Sequence, residues 1–204
     1  MLCRKCRSRS LPTAPRQPSW GRFRAGVAVF LLVAPQMFQA QDSVTLEYRA
    51  KANYLAKFPS FVEWPESALP HGESPFLLCV FGNYPFGISL AEFTRGATTQ
   101  QRRVETRWIR KEQDLHSCQI LFISRSEQKR YRQVLEAVSG QVVLTVGETP
   151  DFLDAGGILC FSMQQGTLRF EVDLDEANKA HLKISSRLLA LARHVVSHIE
   201  AAKS

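Results

Sequence analysis

Phe76-Leu-Leu-Cys-Val-Phe-Gly82 is an uninterrupted apolar run that ends in glycine, and its reading decides the fold. A half-exposed strand alternates apolar and polar residues, whereas a strand buried on both faces does not. The run therefore predicts a central strand of a sheet covered on both sides. The segment after it, PFGISLAEF, predicts a helix opening at Pro85, because proline at a first helical position loses no hydrogen bond. RRVETRWI (Arg102 to Ile109) alternates and reads as a half-exposed or edge strand, and CQILFIS (Cys118 to Ser124) is buried again. Ser126 caps the next expected helix, with Tyr131, Val134, Leu135 and Val138 on its apolar side and Gly140 at its end.

Three further strands follow: VVLTV (Val142 to Val146), GILCFS (Gly157 to Ser162) and LRFEVDL (Leu168 to Leu174). The link between the last two, Met-Gln-Gln-Gly-Thr, is short enough for a hairpin. The expectation is a single three-layer α/β domain, with a mainly parallel sheet, an antiparallel edge hairpin and flanking helices. At the N-terminal side, Ser43 caps a helix from Val44 whose stripe is Leu46, Ala50, Tyr54 and Phe58, and Pro59 stops or kinks it. At the C-terminal side, Asp175 to Ala180 reads as a helix. So does Ser185 to Glu200, with Leu188, Leu189, Leu191, Ala192, Val195, Val196 and Ile199 on one broad face.

The first forty residues carry Arg4, Lys5, Arg7, Arg9, Arg16, Arg22 and Arg24, no acid, and then the apolar run AGVAVFLLVAP from Ala25 to Pro35. This is the pattern of a secretory signal, with the cut expected near Gln41. Phe38 fits the small-residue cleavage rule poorly. Eleven residues at 1.5 Å each reach about half of a roughly 30 Å hydrocarbon core, so a membrane anchor is the weaker reading. The expected division is residues 1–40 as signal peptide and 41–204 as one domain in the periplasm. The formal charge of +7 equals the seven basic residues of the leader. The remainder is balanced, with 19 Lys and Arg against 19 Asp and Glu, and the whole-domain case for nucleic acid disappears.

Cys79, Cys118 and Cys160 remain after cleavage, and an odd number leaves at most one bridge and one free thiol. No C-x-x-C or Cys/His spacing suggests zinc or thioredoxin-type chemistry. Gly156-Gly157 precedes a strand, whereas a phosphate-cradling loop leads from a strand into a helix. His194 and His198 share a helical spacing but lack a third ligand. Ser124 and Ser126 lack a glycine-flanked elbow. Glu171, Asp173 and Asp175 alternate as a solvated face, and Phe58, Phe61 and Trp64 read as core under the first helix. No catalytic residue, metal site or cofactor is expected.

The stretches YLAKFPSFVEWP, FLLCVFGNYPFG, CQILFIS, VLTVGETPDFLDAGGILCF and LRFEVDLDEANKAHLKISSRLLALA resemble, in order, the signature blocks of the YfiR-like periplasmic proteins. Together they span nearly all of the mature chain. The resemblance implies a non-enzymatic periplasmic regulator that binds and represses the periplasmic part of an inner-membrane diguanylate cyclase, thereby acting on cyclic di-GMP signalling and biofilm. It also implies an OmpA-like outer-membrane lipoprotein that relieves the repression. Cys79 and Cys118 match a cysteine pair that the family uses as a disulfide. Cys160 lacks the nearby cysteine that gives some relatives a second bridge, and Pro59 interrupts a helical run that relatives continue. Glu171, projecting outward between inward-facing Phe170 and Val172, is the expected partner contact. A homodimer through one self-complementary patch is a further expected association. The competing readings are a periplasmic small-ligand receptor feeding a sensor kinase or transport system, and an enzyme using the Cys160 thiol.

Overall fold

The structure, a computed structural model, describes residues 34–69, 72 and 74–197. The basic leader, nearly all of its apolar run, and His198 lie outside the described residues. Helix α1 runs Ala34–Lys57, with Pro35 in its first turn, and so passes through Ser43 rather than starting there. The expected cap at Ser43 is thus corrected: the helix-compatible residues before it let the helix begin earlier. At its other end Pro59 acts as expected, and the chain tightens into a 3-10 turn over Phe58–Ser60.

The chain then forms β1 (Val62–Glu63), β2 (Phe76–Phe81), α2 (Ser89–Thr94), β3 (Thr98–Thr99), β4 (Arg102–Ile109) and β5 (Ile120–Ile123). After these come α3 (Tyr131–Ala137), β6 (Leu144–Gly147), α4 (Asp151–Asp154), β7 (Leu159–Gln164) and β8 (Thr167–Asp173). The last elements are α5 (Leu174–Lys179), β9 (Lys183–Ile184), α6 (Ser186–Leu189) and β10 (His194–Val196). Among the described residues eight strands form one sheet in the order β10-β8-β7-β6-β5-β2-β4-β3, and β1 pairs with β9 in a separate ribbon. Strands β4, β2, β5, β6 and β7 are mutually parallel. Strand β8 returns antiparallel to β7 through Gln165 and Gly166, whose φ values of 48° and 75° are those of a type I′ turn.

One face of the sheet packs Phe76, Leu78, Val80, Phe122, Phe161 and Phe170 against α1, α2, α5 and α6. The other face packs Leu77, Phe81, Leu121 and Ile123 against α3 and α4. This is the expected three-layer arrangement, and the buried runs sit at its centre. The first helix is rotated from its expected face: Leu46 is 65% exposed, while Tyr48, Ala52, Leu55 and Phe58 are buried. Phe58 lies stacked on Phe161 at 5.8 Å, and Trp64 meets Phe76 edge-on at 5.0 Å, so these aromatics are core.

The C-terminal segment departs from its helical expectation. Of its described residues only Ser186–Leu189 is α-helical, capped by the Ser185 side chain on Leu188 N. Residues His194–Val196 instead pair parallel with β8, with His194 opposite Glu171, and Arg193 N donates to Phe170 O at 2.8 Å. The unpaired edge of β8 offers hydrogen bonds that the adjacent β-branched residues Val195 and Val196 satisfy better as strand than as helix. The hairpin therefore lies one strand in from the border of the sheet.

Candidate functional site

Among the described residues, four places bear on the candidate sites read from the sequence and the fold. The first is the outer face of the β7–β8 hairpin. Phe161, Leu168, Phe170 and Val172 point into the core, so pleat alternation turns Ser162, Gln164, Arg169 and Glu171 to the opposite face. There Glu171 Oε1 accepts from Arg193 Nη1 at 3.0 Å, with Glu171 half-buried and Arg193 exposed. The Gln164 amide, oxygen turned toward Arg193, accepts from Nε at 3.1 Å. Ser162 Oγ is buried and has no hydrogen-bond partner among the described residues. The outward projection of Glu171 matches its sequence reading, but β8 is not an edge strand, because β10 covers it. Asp173, read as part of the same solvated face, instead caps α5 and accepts from Asp175 N and Glu176 N at 2.9 and 3.0 Å.

The second place is the bridge. Cys79 in β2 and Cys118 just before β5 are joined at an Sγ–Sγ distance of 2.01 Å, with Cα atoms 5.8 Å apart. Both are buried on the α3/α4 side of the sheet.

Cys160 is the third. It is free and buried, and its thiol donates to Thr149 O at 3.1 Å. Burial, reinforced by Glu171, pushes the thiol up to about 12. A thiolate nucleophile requires the reverse shift, so this geometry does not support thiol catalysis.

The fourth place was not visible in the sequence. The chain leaves β2 on one side for β4 and returns on the other for β5, which makes the carboxyl ends of β2 and β5 the topological switch point, where open α/β sheets hold ligands. Arg125 lies two residues past β5 and Glu148 follows β6 directly. Lys51 of α1, 1% exposed, donates to Glu148 Oε2 at 2.6 Å and to Glu47 Oε1 at 2.5 Å. Arg125 donates its backbone N–H to Glu148 Oε1 at 2.9 Å and its guanidinium to Oε2 at 3.3 Å. Tyr48 lies beneath both cations, 4.5 Å from Lys51 Nζ and 5.8 Å from the Arg125 guanidinium carbon. Desolvation alone would raise the Glu148 carboxyl; Lys51 and Arg125 outweigh it and hold the group below its usual 4.5. Burial, and then Glu148, pushes the Tyr48 phenol up. Both carboxylate oxygens of Glu148 are occupied and the charges balance, so the cluster fastens α1 across the strand ends and leaves no base poised for proton transfer.

Among the described residues there is no cluster of three or more His, Cys, Asp or Glu that could hold a metal. His194 stands on a strand, so the helical spacing that joined it to His198 in the sequence reading does not exist on its side.

Residues 48–193 match the family model described as YfiR/HmsC-like. The chain belongs to this YfiR/HmsC-like family. The family's members are periplasmic regulators of diguanylate cyclase signalling rather than enzymes. Among the described residues no helix is long and apolar enough to cross a membrane. Two solved structures are also similar. One is the ABC domain in complex with L-Trp from Streptococcus pneumonia, at 10% identity and a TM-score of 0.50, covering 71% of this chain and 60% of that one. The other is a conserved domain protein from Vibrio cholerae O1 biovar El Tor, at 12% identity and a TM-score of 0.42, covering 63% and 56%. The chain thus spans about 60% of the first structure, and at this identity that likeness concerns the fold alone.

Proposed function

We propose that the protein, once residues 1–40 are removed in export, binds and represses the periplasmic part of an inner-membrane diguanylate cyclase. The contact is the outer face of the β7–β8 hairpin around Glu171, and an OmpA-like outer-membrane lipoprotein competes for the protein to release the cyclase. The observation carrying the choice of surface is the incomplete polar face itself. Glu171, Gln164 and Arg169 stand exposed or half-exposed, and Ser162 Oγ is buried without a partner among the described residues. A buried hydroxyl without a hydrogen bond is costly, and a docking partner that supplies one removes that cost.

The ligand-receptor reading is weaker, because the charged groups beside the switch point, Lys51, Glu148 and Arg125, are engaged with one another. Deleting the gene should raise cellular cyclic di-GMP and biofilm. Glu171→Lys should reproduce the deletion with the protein still folded and abundant, because its ion pair with the exposed Arg193 contributes on the order of 1 kcal/mol or less. Unchanged cyclic di-GMP in the deletion strain, with no cyclase co-purifying, would move the ligand-receptor reading to first place.

A further inference from the structure

The other end of the sheet holds a second surface. From Arg95 to Lys111 the chain carries six basic residues against one acid, Glu105, so the balanced charge of the domain is unevenly spread. Arg95, Arg103, Arg107, Arg110 and Lys111 are exposed, and among the described residues no ion pair involves them. Arg107 reaches only Ser117 Oγ at 3.4 Å, and Arg110 lies over the half-exposed Trp108 ring at 3.9 Å.

This basic strip runs along an open strand edge. Strand β4 pairs with β2 through Val104–Ile109, but on its outer side β3 covers only Arg102 and Arg103. Val104 N donates outward to Ala97 O at 3.0 Å, which fixes the phase of the strand. By alternation the N–H and C=O groups of Thr106 and Trp108 point the same way, beyond the end of β3. Beside this edge, between α2 and β4, lies a groove of about 430 Å³ whose floor includes Ala91, Ala97, Val104 and Thr106 and whose lining also includes the charged side chains of Arg95, Arg103 and Glu105.

We infer that the outer edge of β4 receives an extended acidic segment of a partner protein by strand addition. The pleat specifies the sequence of that segment. On the side shared with Val104 and Thr106 its side chains enter the groove and must be small or apolar. On the side shared with Arg103, Glu105 and Arg107 they meet two guanidinium groups flanking one carboxylate, and are Asp or Glu where they stand opposite the arginines. Charged side chains also protect edges from unwanted pairing. Here the strip is predominantly basic, with Glu105 its one acid, so on balance it repels a second copy of itself and attracts an acidic strand instead. The surface is separate from the Glu171 face, so the two assignments stand or fall independently.

The test titrates the purified protein with a peptide of about nine residues alternating Glu and Val, following the amide resonances of Thr106 and Trp108. Saturable shifts confined to β4 and the groove, weakening as salt is raised, are expected. Methylating alternate peptide amides should abolish binding, and R107E/K111E should weaken it at least about tenfold without altering the fold. A Lys-Val peptide that binds as well overturns the proposal. So do unmoved Thr106 and Trp108 amides, or vesicles rich in anionic phosphatidylglycerol that shift those amides where the peptide does not, which would make the strip a membrane-facing surface.

Discussion

Lys51 and Glu148 lie 97 residues apart in the chain and meet at 2.6 Å in a site that water does not reach. Removing Lys51 leaves the buried Glu148 carboxylate only the half-exposed Arg125, and removing Glu148 leaves the buried ammonium only Glu47, so Lys51→Ala or Glu148→Gln should cost up to about 3–5 kcal/mol in denaturant unfolding. The double change Lys51→Met with Glu148→Leu should be much milder, because it removes both charges and keeps the volume. The pH dependence follows in sign. Glu148 has a folded pKa below its unfolded value of 4.5. Its contribution is therefore complete above 4.5 and is lost as the pH falls through the depressed value, and Glu148→Gln should flatten the acid limb of a Tm-against-pH curve. At this scale the sequence was legible only in part. Glu47 and Lys51 stand in an (i, i+4) relation that can be read directly, but nothing local to Lys51 indicates a partner beyond β6. The helix therefore reads as an apolar stripe through Leu46, whereas the buried ammonium turns Tyr48, Ala52 and Leu55 inward.

Elements with both neighbours in the sheet were the most legible. Phe76–Phe81, Ile120–Ile123 and Leu144–Gly147 declare themselves as apolar runs because burial on two faces leaves no place for alternation. The C-terminal segment was not legible, since its helical spacing is real but its conformation is decided by the free edge of β8, far away in the chain. The bridge between β2 and the start of β5 tests how these central strands are held. Cys79 and Cys118 close a loop with a sequence separation of 39, worth about 4 kcal/mol in the chain-entropy model. Cys79→Ala, or reduction, should lower Tm, with little further effect of reduction on the variant. Non-reducing peptide mapping should find the two cysteines crosslinked and Cys160 free. Finding both as thiols in protein purified in air from the periplasm would remove this element-scale support.

For the whole molecule, the expectation that decides compartment and partner is export. The charge argument is independent of any helix assignment: all seven surplus basic residues precede the apolar run, and the rest of the chain is neutral. Cleavage near Gln41 would also change the first helix. The described α1 begins at Ala34, so the processed chain would lose its first turns and start close to Ser43, a residue suited to cap the shortened helix. The helix can spare those turns because its anchorage lies further on, in Tyr48, Lys51, Ala52, Leu55 and Phe58. Intact-mass measurement on the periplasmic fraction should therefore return a chain beginning at or near Gln41. A form lacking residues 1–40 should unfold at the same Tm as the exported protein. Recovery of the full-length chain from the inner membrane would mean that the apolar run is retained as an anchor, and repression of a cyclase would then have to occur in the plane of the membrane.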